Sequence, residues 1–396
     1  MIWGLGTTGE KEKEKLSVML AHGWKMEYIF GRIRGRKVLE SEENMDLTEL
    51  QKQITEPDRQ SEARAEKHWM QLAKPLSGLG KFETMVTQIA GIQRTEQIRL
   101  QKKALLVFCA DNGVVEEGVT QTGQDVTAVV AGNFLKGETT ACKMAQVAGV
   151  DLFPIDIGMI RDVEGVSRPE DKVAYGTKNM AKEPAMTRQE AWNAIETGIR
   201  KAKERKAKGY QILLTGEMGI GNTTAASAIT AVMLNRPVER VTGRGAGLTG
   251  EGVRRKVQAI QRAVEINQPD RRDPLDVLAK VGSLDIAGMC GAMLGGALMQ
   301  MPVVLDGALS MTAALLAVAL VPACRSYLIA SHVSKEPSCQ LLKESLHLDP
   351  VLNADMNLGE GTGAVALMPL LDMAAKVYFE MPTFEGIEIK PYEVLK

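Results

Sequence analysis

The sequence predicts an α/β protein in which a parallel sheet is covered by helices on both faces. Three observations predict it. Five short apolar runs follow one another between residues 104 and 330, each with a turn or polar signal near its end. Helix-compatible segments separate them. Glycine- and acid-rich motifs stand directly after several of the runs. Open parallel sheets bind ligands beyond the carboxyl ends of their strands, so these motifs are expected to converge.

The elements follow in order. Residues 1–44 differ from the rest, with alternating Glu and Lys at Glu10–Lys15 and a basic stretch at Arg32–Arg36, and read as a variable N-terminal extension. Met45 opens a cleaner segment, and residues 45–100 read as helical. There Glu62–Ala73 is helix-permissive, Pro75, Gly78 and Gly80 mark a loop, and Phe82, Met85, Ile89 and Ile92 recur at helical spacing. The strands are expected at Ala104–Ala110, Leu152–Ile157, Gln211–Leu214, Val303–Leu305 and Cys324–Ala330. Helices are expected over 124–148, 187–208, 222–234, 250–265, 274–280, 284–299 and 308–320.

Composition narrows the function. The chain has 396 residues, enough for one large domain and a smaller one. A formal net charge of −1 gives no broad face for nucleic acid. The five cysteines (Cys109, Cys142, Cys290, Cys324, Cys339) lack CxxC spacing, which points to free thiols in a reducing, cytoplasmic compartment. The four histidines form no HExxH motif or other metal-ligand spacing, so no metal site is expected. No unbroken 18-residue apolar run reads as a membrane span: the richest stretch, Ile286–Leu320, is interrupted by Pro302 and Asp306. The N-terminus lacks the basic-then-apolar order of a signal peptide.

Three glycine clusters carry the chemistry. The first runs Gly216-Glu217-Met218-Gly219-Ile220-Gly221-Asn222-Thr223-Thr224. Its glycines allow close backbone approach, and Asn222, Thr223 or Thr224 is placed to cap a helix whose free N–H groups favour phosphate. It is neither a Walker loop nor a GxGxxG fingerprint, and its bland reading is a capping loop. The second holds Gly243, Arg244, Gly245 and Gly247, with Arg244 suited to phosphate or carboxylate. Arg254, Arg255 and Lys256 beyond it read as a solvated helix face. In the third, Gly359-Glu360-Gly361, a partly buried carboxylate between glycines suits a general base, although an exposed turn would look the same. Asp111 and Asn112 end the first strand and Asp306 the fourth, each suited equally to turn-making or to ligand binding. Ser331 and His332 follow the fifth, where His332 can simply hold the loop, and no GxSxG elbow supports a hydrolase.

Taken together, these motifs resemble the nicotinate-nucleotide:dimethylbenzimidazole phosphoribosyltransferase family, which makes the lower-ligand nucleotide of cobalamin. The resemblance runs from about Ile54 to about Ala375. Its marks include Pro75–Gly80, Ala110–Val114, Gly118–Gln124, Gly216–Thr224, Gly243–Leu248, Val303–Gly307, Ser331-His332 and Leu358–Gly363. It implies a Rossmann-like parallel sheet flanked by helices, with a smaller helical domain built from segments near both termini. On that basis residues 101–340 form the large domain, and residues 45–100 and 341–396 contribute to the small one. It further implies a homodimer with no metal or tightly bound cofactor, which moves phosphoribose from nicotinate mononucleotide to a lower-ligand base with inversion and releases nicotinate.

Residue by residue, the resemblance implies Glu360 as the catalytic base and Glu217 as the second acid, orienting the ribose or supporting the base. Gln124, Thr120 and Thr122 fall in the lower-ligand pocket. The loops with Gly216, Gly219, Gly221, Asn222 and Thr223, and with Gly243, Gly245 and Gly247, fall in regions that hold the nucleotide. The chain departs from the family pattern at Asn112 (usually His), Thr120 and Gly123 (Ser and Pro), Ser338-Cys339 (Gly-His) and Asn357 (Arg). These departures leave benzimidazole, purine and phenolic acceptors open, the last giving an O-riboside, in some relatives made by a heterodimer of two paralogues. A non-catalytic nucleotide-binding protein is the alternative of a different class.

Overall fold

The structure is a computed structural model, and it describes residues 46–392. The expectations for residues 1–44 and for Met45 lie outside the described residues. Five strands, β1 (Lys103–Ala110), β2 (Val150–Gly158), β3 (Ile212–Met218), β4 (Val303–Leu305) and β5 (Leu328–Ala330), form one sheet in the order β2-β1-β3-β4-β5. Every pairing is parallel. The order reverses between β1 and β3, the switch point at which such sheets open a crevice.

Helices α1 (Leu47–Gln53), α2 (Arg59–Gln71) and α3 (Lys81–Gln93) precede the sheet, and α4 (Asp125–Lys136) and α5 (Thr140–Ala148) join β1 to β2. Next, α6 (Arg188–Ala207) leads into β3. Between β3 and β4 lie α7 (Asn222–Met233), α8 (Val238–Val241), α9 (Gly250–Asn267), α10 (Pro274–Val281) and α11 (Leu284–Leu298). The last helices are α12 (Ala308–Leu320), α13 (Ser338–Ser345) and α14 (Thr362–Glu380).

β1 is buried along its whole length, which is why it reads as a continuous apolar run. Leu105, Val107 and Cys109 face a core shared with α3, α5 and α14, and Phe108 faces α11 on the other side. Elements from before and after the sheet meet where the Trp69 and Tyr378 rings pack edge-on at 4.9 Å and Leu72 bridges Thr383. The 19-residue α14 is long and apolar enough to cross a membrane by composition, yet it packs against α3 and α5, and Asp372 and Lys376 break its apolar run.

Three expectations need correction. The segment 124–148 is two helices, because Gly137 takes a left-handed conformation (φ 70°) and ends α4. The third strand does not stop at Leu214: Thr215–Met218 continue it, with Gly216 and Glu217 paired to Val107 and Phe108. Cys324 belongs to a 3-10 turn, Pro322–Tyr327, and β5 begins only at Leu328.

Candidate active site

The ends of β3, β4 and β5, the first turn of α7 and the loop before α14 enclose a cavity of about 290 Å3. Because β3 runs on to Met218, Glu217 reaches this cavity from a rigid strand. Its carboxylate is nearly buried. The Asn222 amide donates from one nitrogen to Glu217 Oε2 and, at 2.7 Å, to Asp285 Oδ2. Asp285 is fully buried at the start of α11, where Oδ1 also accepts the Ser283 hydroxyl and the Ile286 N–H at 3.0 Å. Burial and the Asp285 charge push the Glu217 pKa up to about 8, and burial raises Asp285 to about 6.

Asp306, at the end of β4, accepts the N–H groups of Gly361 (3.1 Å) and Gly363 (2.7 Å). His332 Nδ1 lies 3.7 Å from Asp306 Oδ1 and 3.1 Å from Ser331 Oγ, and the imidazole lines the cavity. His332 thus does more than hold its loop. Glu360, directly before these N–H donors, is held in a left-handed conformation (φ 59°), a cost of roughly 1–2 kcal/mol for a non-glycine residue. Its carboxylate is turned toward the N-terminus of α5, where the Ala141 N–H and the Thr139 hydroxyl favour its charged form. Burial outweighs them and raises its pKa, helped by Asp306, and Oε2 is buried without a hydrogen-bond partner among the described residues.

The same cavity also presents cationic groups. The first turn of α7 lines it, with the positive end of a 12-residue helix. The N-cap is Gly221, not Asn222, Thr223 or Thr224, and no side chain caps the turn. Behind Thr223, Lys256 donates to its hydroxyl at 2.8 Å. Lys256 is fully buried, and burial pushes its pKa down to about 8 against the pull of Glu336. This corrects the solvated-face reading: Arg254 and Arg255 are exposed, but Lys256 falls on the inward stripe with Gly252, Ala259, Ile260 and Ala263. Arg244 is exposed at the rim, and Glu336 fixes its loop by accepting the Gly245 N–H at 3.0 Å.

Of the residues singled out in the sequence, Thr120, Thr122, Glu217, Gly219, Gly221, Asn222, Thr223, Arg244, Gly245, Asp306 and Gly359 line this one cavity. Gly243 and Arg244 line an adjoining recess. Others stand behind it. Gln124 Nε2 donates to the Asn112 carbonyl at 2.9 Å, Asn112 Nδ2 to the Ile220 carbonyl at 3.2 Å, and Asp111 Oδ2 accepts the Ile160 N–H at 2.9 Å. Ser331 donates to the Leu305 carbonyl at 2.6 Å. Gly216 lies under the Glu360-Gly361 backbone, and Gly247 and Gly361 take left-handed turns outside the lining. Sequence reasoning missed Asp285, Lys256 as a buried group, and Ser310, which lines the cavity at the start of α12. Only Lys256 left a legible signal, a charge at helical spacing within small and apolar residues.

A family profile described as a phosphoribosyltransferase (DBI_PRT) matches residues 54–389. The nicotinate-nucleotide–dimethylbenzimidazole phosphoribosyltransferase of Clostridium acetobutylicum is 43% identical over 352 residues, covering 89% of this chain and 100% of that one. That of Acetivibrio thermocellus is 44% identical over 322 residues, covering 81% and 92%. Among solved structures, CobT from Thermus thermophilus matches with a TM-score of 0.80 at 39% identity, over 84% of this chain and 100% of that chain. With its motifs in order along a parallel sheet and relatives of this identity matched over nearly their whole length, the chain is an enzyme that belongs to the nicotinate-nucleotide–dimethylbenzimidazole phosphoribosyltransferase family.

Proposed function

We propose that this enzyme transfers the 5-phosphoribosyl group of nicotinate mononucleotide to an azole lower-ligand base of the dimethylbenzimidazole type, with inversion at C1′. The observation that carries the reading is the polarity of the cavity. The α7 N-terminus, Lys256 behind Thr223, and Arg244 suit a phosphate. The same cavity offers Glu217, bound by Asn222 of that turn, and Gly359, which Glu360 follows with its own carboxylate outside the lining and turned toward α5.

In the proposed step, the bond from C1′ to the pyridinium nitrogen breaks and its electron pair returns to the ring, so neutral pyridine leaves and no general acid is needed. The acceptor nitrogen attacks C1′ from the opposite face, which inverts the centre. Its other nitrogen gives up a proton to Glu360, whose pKa burial raises, making it a stronger base than an exposed carboxylate. Glu360 turns from the α5 N-terminus into the cavity to meet the acceptor. Glu217 orients the ribose, and fixed backbone donors hold the phosphate while charge builds at C1′.

The azole reading is favoured over a phenolic one by the placement of Asn112. That departure from the family pattern lies behind the cavity, bound to Ile220, whereas the departures at Thr120 and Asn357 do line the wall. The reading takes one kind of chain as sufficient, in a homodimer. It is tested by acceptor-dependent release of nicotinate. Glu360→Gln is expected to lower kcat at least about 100-fold with little change in KM for the donor. Full turnover by that variant contradicts the assignment.

A further inference from the structure

We propose that Asp285, which does not line the cavity, is a positioning residue that makes Glu217 hold a proton and act as a hydrogen-bond donor to the ribose, leaving Glu360 as the base. The inference rests on the transfer reading above and deepens it.

The geometry of the shared amide carries it. Asn222 Nδ2 donates to both carboxylates, so Glu217 and Asp285 are held around one nitrogen in a buried place. Two carboxylates so close cannot both ionise without a large penalty, and the proton goes to the one whose charge is less well supported. The support is unequal. Asp285 accepts from Ser283, from the Ile286 N–H and from Asn222, and it sits in the first turn of α11, where the helix favours negative charge. Glu217 has the Asn222 amide as its one hydrogen-bond donor among the described residues, and Oε1 lies beside Gly359 at the cavity wall. Apart from the nearby α7 N-terminus, which matches what α11 gives Asp285, the remaining groups that face Glu217 give its charge no relief. They are Asp306 at the end of β4, Glu360 before α14 and the buried thiol of Cys109 on β1, while the His332 imidazole is spent on Asp306 and Ser331. The upward shift of both carboxyl groups agrees with one proton shared by the pair at neutral pH.

A protonated Glu217 adds no negative charge beside the ribose and gives it a donor. It also separates the roles of the two glutamates, one neutral and one basic.

The test is the pH dependence of kcat for nicotinate mononucleotide with dimethylbenzimidazole. The wild type is expected to lose activity through an alkaline limb near 8. Asp285→Asn removes the neighbouring charge, so Glu217 ionises earlier and the limb moves down by about one pH unit. At pH 8 that is a roughly fivefold loss of kcat, with kcat at pH 6 and KM for the donor within about twofold of wild type. Ser283→Ala keeps both carboxylates and weakens the support of the Asp285 charge, so the pair binds its last proton more tightly. Its limb is expected to move up while its plateau falls. A limb that stays in place in both variants, or moves the same way in both, overturns the inference, as does a uniform loss at every pH. Ser283→Ala carries the test alone if Asp285→Asn does not fold. A wild type that releases no nicotinate defeats the transfer reading instead.

Discussion

Asp306 binds the first turn of α14 through Gly363, whose backbone N–H donates to Oδ1 at 2.7 Å. The other oxygen takes the Gly361 N–H at 3.1 Å. A carboxylate at the end of β4 therefore satisfies two of the orphan donors that every helix presents at its N-terminus. It also fixes Glu360, which lies directly before them. The fit has no slack, because a side chain at Gly363 would collide with His332 Nδ1.

Asp306→Ala is expected to uncouple this clamp. Each donor left unsatisfied costs about 1–3 kcal/mol, so the melting temperature falls measurably. Activity falls further than stability, by about 100-fold or more in kcat, because Glu360 loses its fixed backbone. Asp306→Asn, which retains one acceptor, is expected to lie between. Thermal unfolding and steady-state kinetics on the same samples separate the two effects. Wild-type kcat in Asp306→Ala would contradict the role given to the clamp.

Lys256 gives a prediction with a definite sign. Its pKa is about 8 in the folded chain against an ordinary value of 10.5. Between those values the folded chain holds fewer protons than the unfolded one. Stability therefore rises with pH across this window, and the contribution is lost as pH falls through 8. A phosphate bound on the far side of Thr223 restores the lysine charge. Binding of nicotinate mononucleotide at pH 8.5 is then accompanied by uptake of roughly half a proton or more. Calorimetry in buffers of different ionisation enthalpy reads it directly. Lys256→Met is expected to remove the lysine share of the uptake, leaving only what Glu217 takes up, and to raise KM for the donor about 10–100-fold. Uptake unchanged in that variant would place the phosphate elsewhere.

Much of this was written in the sequence, and the reasons for the exceptions are physical. The β4 expectation and the helix at 308–320 match the observed bounds because turn residues punctuate both ends. The reading of β3 stopped early because Thr215-Gly216-Glu217 has turn composition. Pairing with β1 overrides that composition. The cavity was legible as a set of motifs at strand ends, since topology sends those ends to one place. The supporting groups were not. Asp285 looks like any acid in a first helical turn, and only the fold shows that Asn222 comes to meet it from α7. Gln124 was grouped with the binding residues through the resemblance, and Asn112 through its place at the end of the first strand. The structure makes them a brace, with Gln124 on the Asn112 carbonyl and Asn112 on that of Ile220. A brace and a ligand contact draw on the same polar side chains, so residue type cannot distinguish them.

The most direct measurement is the product formed by the purified full chain from nicotinate mononucleotide, with dimethylbenzimidazole, adenine and phenol competing at equal concentration. Mass and anomeric NMR identify the riboside. The account predicts a dominant α-N-riboside 5′-phosphate of dimethylbenzimidazole, released together with nicotinate. A dominant phenolic O-riboside, a β-configured product, or no product from the chain alone would contradict it.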